Sequence, residues 1–339
     1  MSENEKTIDF VITWVDGSDP EWIEKRNTYK EDNSADTRSE RYRDFGTLKY
    51  LLRGIDAYAP WVRKVYLITE GHLPEWINKD CDKLSIVRHA DFMPEELLPT
   101  FNSNAIEMYL HKIPGLSEKF VYFNDDMIIL KKLKEEDFFL RDKPRDMLAL
   151  QPVVANPYNP VMSNILLNDS IVISRHFDKR KNIKANISKY FHIGYPLMYF
   201  VYNFLELAFP LHTGFYTVHG ASPFLKSTFE ELWEKEHDTL YATAQNRFRS
   251  KDDVTQYLFR EWEKQKGNFV PANLHRDFRY FNTQNDNKSL LSVIRKRSKK
   301  MICINDSSIE YDYEKTRTEV LDALEKSLSR KSPFEVMNE

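Results

Sequence analysis

FVYFNDDMIIL, residues 120–130, decides how the fold is read. Phe120, Val121, Tyr122 and Phe123 form an apolar run that stops at Asn124-Asp125-Asp126, and a second apolar run begins at Met127. A short unbroken apolar run bounded by turn residues has the form of a strand buried on both faces, as in a parallel α/β sheet. In open sheets of that kind ligands collect outside the strand ends. Two adjacent carboxylates placed there suit a divalent cation, because hard cations take oxygen ligands and leave positions open for phosphate oxygens. The same residues also describe an acidic turn between two strands, with side chains that merely cap or solvate the loop.

Upstream, residues 8–15 (IDFVITWV) are β-branched and aromatic and run into Asp16-Gly17-Ser18-Asp19-Pro20, a dense turn signal. They predict a first strand whose exit loop carries Asp16 and Asp19 beside Gly17, where backbone can approach a ligand closely. Residues 21–40 are highly charged and predict a short helix followed by a loop. Residues 44–58 place Leu48, Leu51, Leu52 and Ile55 at the spacing of a helix packed on a sheet, with Arg41 and Asp44 at its start. Residues 64–69 (KVYLIT) and 84–89 predict two further strands. Beyond them Asn102 or Ser103 caps a helix that buries Ile106, Tyr109, Leu110 and Ile113. Its first N–H groups would face phosphate if a nucleotide lay beside them; otherwise it is an ordinary capped helix. The succession predicts an α/β, Rossmann-like fold: a mostly parallel sheet flanked by helices, with a helical, aromatic insertion.

Downstream, residues 131–146 are charged and read as surface, and residues 147–174 alternate apolar runs with Asn and Pro, predicting strands or loops. Lys179, Arg180, Lys181, Lys184 and Lys189 then precede residues 190–211, the most aromatic segment of the chain. Pro196, Glu206 and Pro210 leave that segment too punctuated to span a bilayer. A basic stretch followed by an aromatic helix is the arrangement of a protein lying in a lipid interface, with a lid or a core helix as the alternatives. Residues 215–219 return as a strand ending at His219, which suits proton transfer or a structural role. Residues 224–240 and 252–265 predict helices, and the loop between them carries Arg247, Arg249 and Asp253; arginine forks well onto phosphate oxygens, and equally serves a solvated helix start. Residues 300–307 (KMICINDS) repeat the opening pattern, an apolar strand running into Asn305-Asp306. The chain thus divides at 1–146, 147–214 and 215–339.

With 339 residues the chain can form about two domains or one enlarged α/β domain. A net charge of -3 argues against nucleic acid as a partner. Cys81 and Cys303 are far apart and form no CxxC pair, which implies neither a disulfide framework nor a zinc site and favours a reducing compartment. The N-terminus lacks a basic segment followed by an apolar one, and no run of about 18 apolar residues exists. The expectation is a cytoplasmic protein with peripheral contact, through residues 175–211, at the inner face of the cell membrane.

Four blocks together resemble the Stealth family of sugar-1-phosphate transferases, which build phosphodiester-linked bacterial capsules and include the catalytic subunit of the eukaryotic N-acetylglucosamine-1-phosphotransferase. They are IDFVITWVDGSDP; RYRDFGTLKYLLRGIDAYAPWVRKVYLITEGHLPEWIN with its continuation through TFNSNAIEMYLHKIPGLSEKFVYFNDDM; residues 219–253; and MICINDS with the terminal SPFE. The resemblance places functional acids on Asp125, Asp126 and Asp306, a histidine on His219 and an arginine on Arg249. It implies transfer of a hexose-1-phosphate or N-acetylhexosamine-1-phosphate from a UDP-sugar to a hydroxyl of a growing, lipid-linked polysaccharide, with release of UMP. Residues 1–146 would then be the nucleotide-sugar-binding half, 147–214 an acceptor- or membrane-facing insertion, and 215–339 the rest of the catalytic domain. Asp125, Asp126 and Asp306 would hold Mg²⁺ or Mn²⁺, and Asp125, His219 and Arg249 would carry the chemistry. Asp16, Gly17, Asp19, Arg41, Asp44, Asn102, Asn104, Asn124 and Asp253 would position substrate. The rival readings are a metal-dependent glycosyltransferase releasing UDP and a non-catalytic polysaccharide-binding protein.

Overall fold

The structure, a computed structural model, describes residues 7–29, 42–307 and 310–336. Arg41 lies outside the described residues. Strands β1 (Ile8–Thr13), β2 (Val65–Thr69), β3 (Leu84–Arg88) and β4 (Lys119–Asn124) run parallel, as the apolar runs predict. After β4 the chain turns through Asp125-Asp126 into β5 (Met127–Ile129), and β6 (Ser222–Leu225) later closes the sheet antiparallel to β4. The order is β6-β4-β1-β2-β3. Alternation along the strands builds two cores. Phe10, Ile12, Val121 and Phe123 join one hydrophobic cluster, while Val11, Phe120 and Tyr122 join another on the opposite face. This double burial is why FVYF carries no polar residue.

A second sheet forms from β7 (Phe278–Asn282), β8 (Met301–Asn305) and β5, in the order β7-β8-β5. In the antiparallel β8/β5 pair Cys303 stands opposite Met127. The Asp125-Asp126 turn is therefore the crossing from one sheet into the next, and that crossing brings β8 against the turn.

Among the helices, α1 (Pro20–Thr28) follows β1, and α2 (Leu48–Tyr58) buries Leu48, Leu51, Leu52 and Ile55 as their spacing predicts. A Cβ on Gly54 would stand 2.6 Å from the Ile129 carbonyl oxygen, so α2 lies directly on β5. Helix α3 (Ser103–Met108) precedes β4, shorter than the periodicity suggests because residues 110–112 tighten into a 3-10 turn. Later come α4 (Pro160–His176), α5 (Leu197–Glu206), α6 (Tyr257–Gln265) and α7 (Tyr313–Ser327). Buried Arg53 of α2 donates to both oxygens of Glu335, at 2.8 Å each, and pairs with Glu325 at 2.9 Å. The terminal SPFE motif is thereby tied to the first helix of the core. No helix of the described residues is long and apolar enough to cross a membrane.

Three local expectations are corrected. Residues 147–174 contain the long helix α4, because Pro160 occupies its first turn, where a missing N–H costs nothing. The stretch 131–146 is not simply surface: Leu133, Phe138 and Phe139 are buried, and Phe139–Leu140 pairs with Lys143–Asp146. The strand expected at 215–219 is only Phe215–Tyr216, so His219 stands in the loop before β6.

Candidate active site

Asp126 is the best-placed acid of the turn. Its backbone carbonyl accepts from the Ile304 N–H at 2.9 Å, and its Oδ2 accepts from the Cys303 thiol at 3.1 Å. Its Oδ1 is buried with no hydrogen-bond partner. A buried carboxylate oxygen left unpaired costs its full desolvation, so this atom calls for a ligand. Ligand-capable atoms of Asp126, His219 and Cys303 lie within 4.8 Å of one another, a group able to hold a metal ion. Burial, and then the charge of Asp126, push the Cys303 thiol well above its ordinary range, so it serves as a donor to Asp126 unless a bound metal displaces its proton. A carboxylate with one oxygen oriented by a thiol and the other unpaired fits a divalent cation.

Asp125 adds a second carboxyl to the same place. Burial raises its carboxyl pKa well above the usual range, and the charges of Asp126 and Asp44 raise it further. Asp44 is itself raised by burial, with Asp16 opposing its ionisation. Neighbouring carboxylates that resist ionising together are relieved by a cation between them.

His219 faces this cluster from the loop before β6. Its Nδ1 is hydrogen-bonded to the Tyr257 hydroxyl at 2.5 Å, its Nε2 lies 3.5 Å from the Asn124 amide nitrogen, and Tyr280 packs edge-on against the ring. Burial lowers its pKa; Arg249 and Arg260 act in the same direction and Asp126 against it. The imidazole is thus kept neutral near neutral pH, the form able to accept a proton.

Arg249 is delivered by a buried knot. Asp253 Oδ2 accepts from the amides of Asn102 (2.9 Å) and Asn104 (3.0 Å) and from the Ser250 N–H (3.0 Å), and Oδ1 accepts from Asn246 at 2.7 Å. Asn102 caps α3 by accepting from the Asn104 N–H at 3.1 Å. Asn102, Asn104 and Asp253 are all buried. They fix the 246–253 loop onto the start of α3, where Arg249 donates to the Ser103 hydroxyl at 2.7 Å.

The first-strand loop is shaped by Gly17, whose N–H donates to the Tyr42 carbonyl at 2.9 Å; a Cβ there would stand 2.0 Å from that oxygen. Asp16 Oδ1 accepts from the N–H and hydroxyl of Ser18, and the Asp16 N–H donates to His72 Nε2. Asp19 is engaged as the cap of α1, accepting from the Trp22 N–H at 2.7 Å. Asp44 accepts from the Gly46 N–H at 2.7 Å. Asp306 is not among the donors grouped with Asp126: its Oδ2 accepts from Arg43 at 2.7 Å and its Oδ1 from the Tyr311 hydroxyl at 2.5 Å.

Sequence reasoning passes over several of these residues. Cys303 looks like an isolated thiol until β8 pairs with β5. Tyr257 and Glu107 carry no sequence signal. In the fold Glu107 is buried, accepting from Tyr122 (3.2 Å) and the Gln256 N–H (3.3 Å), with its pKa pushed by burial to about 7. Asp169, which accepts from the Thr255 N–H and hydroxyl at 2.9 Å each, is pushed by burial to about 8.

Comparison with known proteins bears on the same residues. Residues 6–34 match Stealth protein CR1, conserved region 1, and residues 41–147 match Stealth protein CR2, conserved region 2. The first match holds the Asp16–Asp19 loop; the second holds Asp44, Asn102, Asn104, Asp125 and Asp126. The chain is similar to the capsular polysaccharide phosphotransferase WcwK of Streptococcus pneumoniae, 38% identical over 336 residues that cover 98% of this chain and 99% of the relative. It is also similar to the receptor polysaccharide phosphotransferase WefC of Streptococcus gordonii (34% over 337 residues; 97% and 99% covered). A third relative is the exopolysaccharide phosphotransferase cps2G of Lactiplantibacillus plantarum (35% over 335 residues; 97% and 96%).

Proposed function

The chain belongs to the Stealth family, and from that premise we propose that it transfers a hexose-1-phosphate or N-acetylhexosamine-1-phosphate from a UDP-sugar to a hydroxyl of a growing capsular or cell-surface polysaccharide, releasing UMP. The observation that carries this reading is the meeting of the unpaired Asp126 oxygen with a neutral His219, whose field also contains Arg249. The relatives' names supply phosphotransfer in polysaccharide synthesis.

In the reaction the acceptor hydroxyl oxygen forms a bond to the phosphorus bearing the sugar, the bond from that phosphorus to UMP breaks, and the hydroxyl proton passes to His219. Tyr257 fixes the imidazole through Nδ1 and leaves Nε2 for that proton. Arg249, steadied by Ser103, would fork onto the phosphate oxygens as charge redistributes. Mg²⁺ or Mn²⁺, held by Asp126 with Asp125 beside it, would neutralise the donor diphosphate. Asp16, Gly17 and Asp44 would position the donor at the end of β1. Asn102, Asn104 and Asp253 hold the arginine loop in place, and Asp306 orients Arg43. A lipid-linked acceptor would bring the enzyme to a membrane face.

The test is a panel of UDP-sugars incubated with Mg²⁺ and acceptor polysaccharide. UMP appearing with one donor, and ceasing on chelation, is the expected result. Release of UDP without UMP would make the protein a glycosyltransferase instead.

A further inference from the structure

Helix α5 presents its residues the opposite way round from an ordinary surface helix. Its buried stripe is Tyr199, Asn203 and Glu206, and each is hydrogen-bonded inward. The Tyr199 hydroxyl meets His275 Nε2 at 2.8 Å. Asn203 accepts from the Leu150 N–H at 2.7 Å and donates to the carbonyls of Leu148 and Tyr190 at 3.2 and 2.6 Å. Glu206 pairs with the buried ammonium of Lys179 at 2.9 Å and accepts from the Thr213 hydroxyl at 2.6 Å. The outward face is apolar: Leu197 is 78% exposed and Phe204 66%, Val201 and Leu205 are exposed with them, and Ile193 (94%) and Leu211 (70%) extend the segment at either end. Surface helices of soluble proteins bury their apolar stripe, and contiguous exposed patches of this kind mark interaction sites.

The inward polar stripe prevents the helix from rolling over to hide its leucines. Lys179 extends the clamp by donating to the carbonyls of Glu206 and Leu211, at 2.8 and 3.0 Å. This joins the end of the apolar segment to the start of the helix Lys179–Ala185, on which Arg180, Lys181 and Lys184 are exposed. Cationic side chains therefore stand beside a fixed apolar face.

We infer that residues 193–211 are an interfacial anchor for an anionic lipid surface: the apolar side chains enter the boundary between headgroups and acyl chains, and Arg180, Lys181 and Lys184 meet acidic headgroups. The charge selects this occupant. A second copy docked face to face about a two-fold axis would bring the same basic cluster towards itself, whereas an anionic leaflet complements it. The inference rests on this surface and not on the reaction, so it stands or falls separately from phosphotransfer.

The experiment is flotation of the full chain with phosphatidylcholine vesicles, with and without phosphatidylglycerol as the acidic lipid, at low and high salt. The wild type is expected to float with the acidic vesicles and to be released by salt. The triple variant Arg180→Gln, Lys181→Gln, Lys184→Gln is expected to lose about 100-fold in partitioning, roughly fivefold per charge. The double variant Leu197→Ser, Phe204→Ser is expected to lose at least about tenfold while circular dichroism and the melting temperature are unchanged, because both side chains are solvent-facing. Failure of the wild type to float at low salt would overturn the inference, as would unaltered flotation of both variants. A concentration-dependent dimer that ignores vesicles and is abolished by the Leu197/Phe204 variant would overturn it in favour of self-association.

Discussion

Strand β4 ends at Asn124-Asp125-Asp126 in one sheet, and β8 ends at Asn305-Asp306 in the next. In sequence the two ends look alike, an apolar run followed by asparagine and acid. In the fold they differ in what surrounds the carboxylate. Asp306 has both oxygens engaged, one by Arg43 and one by Tyr311, and Arg43 is itself stacked 3.8 Å from the centre of the Tyr313 ring. Asp126 has one oxygen oriented by a thiol and the other left without a partner, in a place shared with His219. An acid at a strand end becomes a candidate for chemistry only where the neighbouring chain leaves an oxygen unsatisfied.

The widest expected separation is in turnover. Asp126→Asn removes the charge that faces the unpaired position and should lower kcat by at least about 10³-fold, or about 4 kcal/mol of transition-state stabilisation, with little change in melting temperature. Turnover within tenfold of wild type would erase the distinction between the two acids. Arg249→Lys keeps the charge and loses the planar fork, so kcat/KM should fall by about 10²-fold, read in the same assay. Asp306→Asn breaks a partly exposed ion pair and should cost about 1–2 kcal/mol in urea unfolding and at most about tenfold in turnover. A kinetic loss as deep as that of Asp126→Asn would place Asp306 in the same chemistry.

A smaller effect distinguishes the ground beneath the two strand ends. Glu107, bonded to Tyr122 of β4, and Asp169 are buried acids with pKa values pushed to about 7 and about 8. Both lie above their unfolded values, so the folded chain holds more protons between those limits. The stability they lend as neutral acids is full below about pH 4, declines as the unfolded carboxylates ionise, and is gone above about pH 8. Buried His111 and His212, lowered by burial to about 3 and about 4, bear on stability only below pH 6.5. Unfolding free energy should therefore fall between pH 6.5 and 8, by up to about 1.4 kcal/mol per pH unit for each acid, with the melting temperature falling alongside, and Asp169→Asn should flatten the slope. A melting temperature that rises over that interval would contradict the assignment. Smallest of all, Cys303→Ser keeps a donor on Asp126 and should leave turnover within about threefold of wild type.

Most of the sheet was legible because buried parallel strands must be apolar throughout, and residues 8–13, 65–69, 84–88 and 119–124 are nearly so. Helix α2 was legible from Leu48, Leu51, Leu52 and Ile55, all buried. Helix α4 was not, since a proline that starts a helix looks the same in sequence as one that breaks it. At the site, the aspartates and His219 could be picked out as residue types, but their partners could not. Cys303 reaches Asp126 only through the antiparallel pairing of β8 with β5, Tyr257 reaches His219 across 38 residues, and Asp253 reaches Asn102 across 151. These contacts belong to tertiary packing, which no local pattern encodes. The same limit hid the use of Asn102, Asn104 and Asp253, whose burial makes them the frame that holds Arg249.

Whether the Asp126 cluster acts on phosphorus is decided by supplying the donor as a UDP-sugar labelled in its β-phosphate, with acceptor polysaccharide and Mg²⁺, and following the label. The labelled phosphorus is expected to enter the polymer in a phosphodiester while unlabelled UMP is released, and Asp126→Asn is expected to abolish both. Label that stays in UDP while sugar alone enters the polymer would contradict it.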